Sequence, residues 1–522
     1  MKKILDSVHG HILVDDCYIT AIIDTPEFQR LRRVEQTSIR SVYPSARHDR
    51  FIHSLGVFYV GKMIAEHLEK ECCEFGIDVK TYDILKKSYL SACLLHDVGH
   101  APFSHTFEEF YGKKKKLSER LANSVNSDEF TSDIEGYFDD ANFHELVSAY
   151  LAVERFSHTL QPIDVNMEFV ARMITGCFYE SKPKNQIRNC FISLLHGEVI
   201  DADRLDYGCR DVWASGYSTS NIDLRRLISA LHIKKNENEE FVVCFDCNVI
   251  NEIDNLLSVK DFQMKYVINH HTVAYDQWLL VQAVQSLSKK LFMKDVEETH
   301  PEDKPEDKEF LCMNRICSVD SLVKKVPVGD YHLFRPSDDD FVFMLKQDED
   351  NPYFSEWYSR QYTRFALWKS PDEFSHYFGI IRGTDLKNDE FKVVVKKNIL
   401  KKYNIDDVVI KKIKFKPHIK LSSLYILVHG DLRRFTEIYP NDKEQKQKEI
   451  TFYYVYVKKQ SNDHEEIENL RSNIIKDLRG PIQALYFQSE KDDKGTGYNW
   501  YLHLPLFHSV SAVVGWFRSL HT

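Results

Sequence analysis

No stretch of this 522-residue chain approaches the roughly 18 consecutive apolar residues that a membrane-spanning helix needs, so no passage through a bilayer is expected. The N-terminus, Met1-Lys2-Lys3-Ile4-Leu5-Asp6, reaches Asp6 and His9 before an apolar signal core forms. A general basic surface is also missing. With 69 Lys and Arg against 79 Asp and Glu the net charge is −10, which argues against a nucleic-acid-coating protein but permits a local basic pocket for a phosphorylated small molecule. Cysteine is sparse: 11 residues, irregularly spaced, are too few for a disulfide framework and fit a reducing compartment, hence a cytoplasmic location. Cys244-x-x-Cys247 has zinc-knuckle spacing, with Cys312 and Cys317 following. Its flanks, Phe241-Val242-Val243 and Val249-Ile250, read instead as a strand with buried thiols.

What is present is an ordinary globular composition, 43% apolar and 28% charged, in a chain too long for one core. The expected class is mainly α, a helical core over residues 1–295 with an appended mixed α/β module. Ser54 to Lys70 and Asp83 to Leu95 carry apolar residues at helical spacing, and Gly99 and Pro102 stop the second of these helices. Lys113 to Asp140, with four consecutive lysines at its start, reads as a surface loop. Glu297 to Glu309 is acidic, has two prolines and reads as a linker spanning residues 296–310. Beyond it, in residues 311–522, strands are predicted at Phe391 to Val395, Val408 to Ile410, Leu424 to Val428 and Thr451 to Val457, with a helix at Glu465 to Leu478. No internal repeat is visible.

One segment concentrates metal-binding chemistry. His96 and Asp97 end an apolar helix, and His100 and His105 follow, so four potential ligands fall within ten residues. A charge placed where a core helix ends must be paired, neutralised or bound to metal. His53 opens a second apolar helix after Arg50-Phe51-Ile52. On a third, Asp203, Arg204, Tyr207 and Asp211 share an arc of about 100°. A carboxylate, a phenol and a guanidinium together suit a metal–phosphate pocket; they also suit a solvated face dressed with i,i+4 ion pairs.

His53…His96-Asp97…Asp203 resembles the H…HD…D signature of the HD superfamily. Asp6-Ser7-Val8-His9-Gly10-His11-Ile12, the run Ile23 to Arg32, and Phe51 to Val57 resemble the deoxynucleoside triphosphate triphosphohydrolases within it, most closely the catalytic core of the sterile-alpha-motif/HD-domain members and their bacterial relatives. The resemblance covers about residues 1–290. It implies a divalent metal (iron, manganese, zinc or magnesium) on His53, His96, Asp97 and Asp203, and release of deoxynucleoside and intact triphosphate. It also implies His144 as proton donor to the departing 5′ oxygen, suited by a pKa near neutrality. Glu108 stands where the family has the aspartate that orients this histidine. Arg50, Arg204 (for a family lysine) and His105 fall on phosphate-binding positions. Gln36, Tyr207 and Asp211 fall on sugar-reading positions, and His271 and Tyr275 on the far wall. Val267 replaces a phosphate-binding arginine, and Asp276 a glutamine.

Asp24, Gln29 and Arg32 match positions that clasp an activating guanine nucleotide between subunits, which implies a homo-oligomer, dimer or tetramer. Asp24-Thr25-Pro26-Glu27 also reads simply as a helix start. The competing functions are another HD phosphohydrolase, acting on a nucleoside monophosphate, a cyclic nucleotide or a nucleic-acid end, and a nucleotide sensor without turnover.

Overall fold

The computed structural model describes residues 1–197, 200–216, 222–379, 388–405, 407–415, 424–438 and 450–494. The helix Arg50–Glu74 begins on Asp49, whose carboxylate accepts from the Ile52 amide at 3.0 Å, and buries Phe51, Leu55, Phe58 and Leu68. The helix Val79–Leu95 starts the same way on Asp78 and packs beside it. Contact is close: a Cβ on Gly61 would stand 2.6 Å from the Cys93 sulfur. Phe143–Leu160, Met167–Thr175, Gln186–Leu195 and Ala202–Ser215 extend this bundle. An antiparallel N-terminal hairpin, Lys2–Asp6 with Gly10–Val14, lays Ile12 and Val14 on the same core. No helix among the described residues is long and apolar enough to cross a membrane.

Three expectations about local structure are corrected. Lys113 to Asp140 is not a loop but two helices, Lys114–Val125 and Asp128–Tyr137, anchored by buried Leu117 and Leu121 and by buried Phe130 and Ile134. Charge on their outer faces hid a sparse apolar stripe. Phe391 to Val395 is not a strand but part of the helix Asn388–Tyr403: Phe391, Val395 and Ile399, four apart, are fully buried while Val393 is exposed. Glu297 to Glu309 is a tight helical hairpin. The helix His271–Thr299 runs into it, and Pro305 takes the first turn of Pro305–Ile316, with Glu306 and Asp307 at that helix's positive end.

The apolar core therefore does not divide at residue 310. Ile316, Leu322, Val328, Leu333, Phe341, Leu345 and Phe354 all join the first core. So does the hairpin Tyr425–Val428 with Asp431–Arg434. It completes a four-stranded sheet in which Phe241–Asp246 lies between Leu231–Lys235, antiparallel, and Tyr425–Val428, parallel. A second core forms around the antiparallel sheet of Arg364–Ala366, Ile450–Lys458 and Val408–Phe415, covered by Asn388–Tyr403 and His464–Lys494. Within the Cys244-x-x-Cys247 motif, Cys244 is buried in its strand but Cys247 is exposed, and no cysteine belongs to a metal-capable group among the described residues.

Candidate active site

Helix ends converge on one point. His53 lies in the first turn of Arg50–Glu74, His96 and Asp97 follow the end of Val79–Leu95, and Asp203 lies in the first turn of Ala202–Ser215. The Nε2 atoms of His53 and His96 are 3.3 Å apart. Asp203 Oδ1 is 2.9 Å from the first and 3.7 Å from the second; Asp97 Oδ2 is 3.5 and 3.4 Å away. The opposite ring nitrogens are committed: His53 Nδ1 lies 2.7 Å from Asp206 Oδ2, and His96 Nδ1 lies 2.9 Å from the Cys93 carbonyl. Each acceptor fixes a proton on Nδ1 and leaves the Nε2 lone pair facing inward. Two inward lone pairs flanked by two carboxylates fit a borderline divalent cation. In the metal-free protein, burial pulls both histidines down, but Asp203, with Asp206 for His53 and Asp97 for His96, outweighs it and raises them.

Arg50, expected at phosphate, grips Asp97, an expected metal ligand. Its Nη1 donates to Asp97 Oδ2 at 2.7 Å, Nε to Ser104 Oγ at 3.0 Å and Nη2 to the Gln36 carbonyl at 3.1 Å. Burial alone would raise the Asp97 carboxyl, but Arg50 and the neighbouring histidines hold it well below the usual range.

A second cluster adjoins the first. His144 Nδ1 lies 3.0 Å from Glu108 Oε2, so the longer acid does reach the histidine it faces. His105 Nδ1 lies 3.3 Å from the same oxygen, with its ring largely in solvent. His100 stacks on His144 at 4.0 Å and bridges the clusters, with Nε2 3.1 Å from Asp97 Oδ1 and Nδ1 against Glu108 Oε1. Two stacked imidazoles do not both charge. Burial, Arg50 and His144 push His100 down to about 4; burial also opposes a charge on His144, but Glu108 prevails and lifts it to about 9. This separation singles out His144 as the proton-bearing partner.

The sugar-reading residues partly assemble. Asp211 Oδ1 lies 2.7 Å from His48 Nε2, and the His48 carbonyl accepts from the Gln36 amide at 3.2 Å. The Gln36 side-chain oxygen is buried without a hydrogen-bond partner among the described residues. Tyr207 lies beside Arg204 and Asp203. Other expected residues are committed elsewhere. Arg204 folds back onto the Gly197 carbonyl and Asp201 Oδ2, the latter at 2.9 Å. Tyr275 donates to Glu356 Oε1 at 2.6 Å and stacks on Trp278, and the His271 carbonyl accepts from the Tyr456 hydroxyl, which places both against the second core. Among the described residues no contact joins either to the metal or acid clusters. Val267 packs with Ile39, Ala46 and Val273, and Asp276 accepts from Trp357 and Tyr362.

The support beneath His53 comes from residues outside the expected site. Asp206 is fully buried and receives His53, His9 Nε2 at 2.6 Å and Arg210 Nε at 2.8 Å, while Arg210 Nη1 reaches Asp6 Oδ1 at 2.9 Å. A Cβ on Gly56 would fall 1.9 Å from Asp206 Oδ1, so only glycine admits the network. The i,i+4 pair Asp206/Arg210 and the glycine three residues past His53 were the available signals. Lys260, in the last turn of Ile250–Phe262, was also missed. It is half-buried near Arg204 and Asp203, with no hydrogen bond or salt bridge among the described residues; burial and Arg204 pull its ammonium down to about 8.

A helical bundle brings the H…HD…D residues together at helix ends, and among them His53, His96 and Asp203 form a group that could hold a metal ion. The HD domain model matches residues 50–185, which contain His53, His96, Asp97, Glu108 and His144. The chain is 30% identical over 265 residues to the deoxynucleoside triphosphate triphosphohydrolase SAMHD1 of Gallus gallus, covering 49% of this chain and 40% of that protein. It is 29% identical over 305 residues to the uncharacterised protein MJ1154 of Methanocaldococcus jannaschii, covering 57% of this chain and 52% of that one. Against the uncharacterised protein YwfO of Bacillus subtilis it is 25% identical over 382 residues, 72% of this chain and 74% of that one. The chain thus spans about half the length of the first two relatives. A crystal structure of a hypothetical protein from Aquifex aeolicus shares the fold at TM-score 0.53 and 22% identity, covering 90% of this chain and 99% of that one.

Proposed function

We propose that this HD-domain phosphohydrolase cleaves deoxynucleoside triphosphates into deoxynucleoside and inorganic triphosphate. The observation that carries the reading is the His144–Glu108 pair beside two imidazoles, His53 and His96, that converge with Asp203 and have Asp97 Oδ2 at 3.5 and 3.4 Å. His53, His96, Asp97 and Asp203 would hold a divalent cation, which would supply Lewis acidity toward a phosphoryl oxygen and lower the pKa of a bound water. His144 gives its proton to the departing 5′ oxygen while Glu108 orients the ring. The buried, unpartnered Gln36 oxygen accepts from a sugar hydroxyl, and Tyr207 and Asp211 shape the sugar site. His105 and Lys260 line the phosphate path, which Arg204 joins on leaving Asp201, with Lys260 offsetting the cation missing at Val267. The test is incubation of metal-loaded protein with each of the four common deoxynucleoside triphosphates. Tripolyphosphate is the expected product; orthophosphate or pyrophosphate would indicate another HD phosphohydrolase, and no product a sensor.

Lys260→Met is expected to raise KM for the triphosphate about tenfold, the size of one charged contact, with little change in kcat. Steady-state kinetics with an unchanged KM would remove Lys260 from the phosphate path.

The reading extends to an activating guanine nucleotide and a homo-oligomer. Asp24 is exposed; Gln29 and Arg32 are hydrogen-bonded at 2.9 Å, with Arg32 lying 3.5 Å over the Phe51 ring. Guanosine triphosphate is expected to raise both mass and turnover of the wild type, and neither for Asp24→Ala, in light scattering and rate measurements. If the wild type responds in neither, Thr25, which caps the short helix Pro26–Gln29 by accepting from the Phe28 amide, gives the motif its role as a helix start alone.

A further inference from the structure

The turn from Val98 to Ser104, which links the ligand Asp97 to His105 and Glu108, is held by side chains from distant parts of the chain. Arg30 is buried and, among the described residues, donates only to carbonyls: Nη1 to Val98 at 3.3 Å, Nη2 to His100 at 2.5 Å and Nε to Pro336 at 2.6 Å. The carbonyl between the first two, that of Gly99, accepts from the Tyr111 hydroxyl at 2.9 Å, and the Gly99 amide donates to Ser148 Oγ at 2.9 Å. Phe103 and Ser104 both have left-handed backbones, φ 55° and 51°, a conformation that side-chain-bearing residues hold only when their surroundings impose it. The imposing group is Asp338. Its Oδ1 accepts from the Phe103 amide at 2.6 Å and its Oδ2 from the Glu35 amide at 2.9 Å. So fixed, Ser104 Oγ donates to the Glu35 carbonyl and accepts from Arg50 Nε, and Arg50 grips Asp97.

We infer that Arg30 and Asp338 are positioning residues for the metal site and the His144–Glu108 pair. Pro336 and Asp338 belong to the stretch beyond residue 310, so that stretch completes the site from behind without touching a ligand. Arg30 fixes the carbonyls on either side of Gly99, which sets where His100 meets Asp97 and Glu108. Asp338 fixes the left-handed pair that hands Ser104 to Arg50. The inference rests on the metal reading of His53, His96, Asp97 and Asp203.

The experiment uses the full chain and Mn2+ as probe, with affinity measured by calorimetry and ligand symmetry by electron paramagnetic resonance, neither of which needs a substrate. Asp338→Ala is expected to weaken Mn2+ about tenfold or more, within the 10–100-fold range typical of outer partners of metal ligands, and to broaden the resonance. Asp338→Asn, which keeps an acceptor for one of the two amides, is expected to fall between it and the wild type. Asp339→Ala, which removes only an exposed pairing with Arg33, is expected to leave both readouts unchanged. If Asp338→Ala does not fold, the folded Asp338→Asn decides. Wild-type Mn2+ affinity and line shape in either folded Asp338 variant overturns the inference. A wild type that takes up no Mn2+ overturns the metal reading beneath it, so the two failures are told apart.

Discussion

Asp97→Ala and Asp203→Ala are both expected to lose bound metal and turnover together, and to differ in stability. Each removes one oxygen ligand from a four-donor set. Asp97 is also the carboxylate partner of buried Arg50, and stranding a buried charge costs about 3–5 kcal/mol. Asp203 is one-third exposed and its salt-bridge partners among the described residues are the two histidines, which can shed a proton as the Arg50 guanidinium cannot, so its loss strands no permanent cation. Elemental analysis and thermal melts of the two variants check this: metal-free protein in both, with a clear drop in Tm for Asp97→Ala alone. Full metal content in Asp97→Ala would overturn the ligand assignment. Because a metal needs unprotonated imidazole nitrogens and ionised carboxylates, apparent affinity is expected to rise with pH.

His144→Ala is expected to keep its metal and lose turnover about 10²–10⁴-fold, the usual contribution of a positioned proton donor. The pH dependence has a defined sign. His144 is raised from 6.5 to about 9, so the proton-bearing form is full below neutrality and disappears as pH rises through about 9. Turnover should follow that limb. The same linkage makes the His144–Glu108 contribution to stability complete below about pH 6.5 and lost as pH climbs through the folded value. Glu108→Gln removes the charge that lifts the histidine, and the limb should move down by a unit or more. Near-normal turnover in His144→Ala would shift the donor role to His105, the other imidazole at Glu108 Oε2.

The site was legible where its chemistry is local in sequence. His96, Asp97, His100 and His105 lie within ten residues, and helix ends are where orphan polar groups must be answered. The structure brings His53 and Asp203 to the same point and sets Glu108 against His144. What stayed hidden depends on partners far apart in the chain. Nothing near Arg50 in sequence marks it as the holder of Asp97, and Asp338 meets Phe103 and Glu35 across more than two hundred residues. The same holds for Asp6 and Arg210 beneath His53. In the fold, the β-branched run Val393-Val394-Val395 outweighed the four-residue spacing of Phe391, Val395 and Ile399, although the spacing sets the conformation. The acidic, proline-bearing stretch before Glu309 looked like a linker because proline and charge mark helix starts as readily as breaks.

The parallel pairing of Phe241–Asp246 with Tyr425–Val428 bears on any attempt to study the metal-binding half alone. A chain cut near residue 310, where the sequence invites a cut, would retain every metal ligand yet lose the strand that covers Phe241–Asp246. An uncovered strand offers its free amides and carbonyls to a second copy. Such a fragment would gain mass by edge-to-edge association whether or not a nucleotide were present. Assembly driven by guanosine triphosphate is therefore to be measured on the uncut chain, where that edge is already occupied.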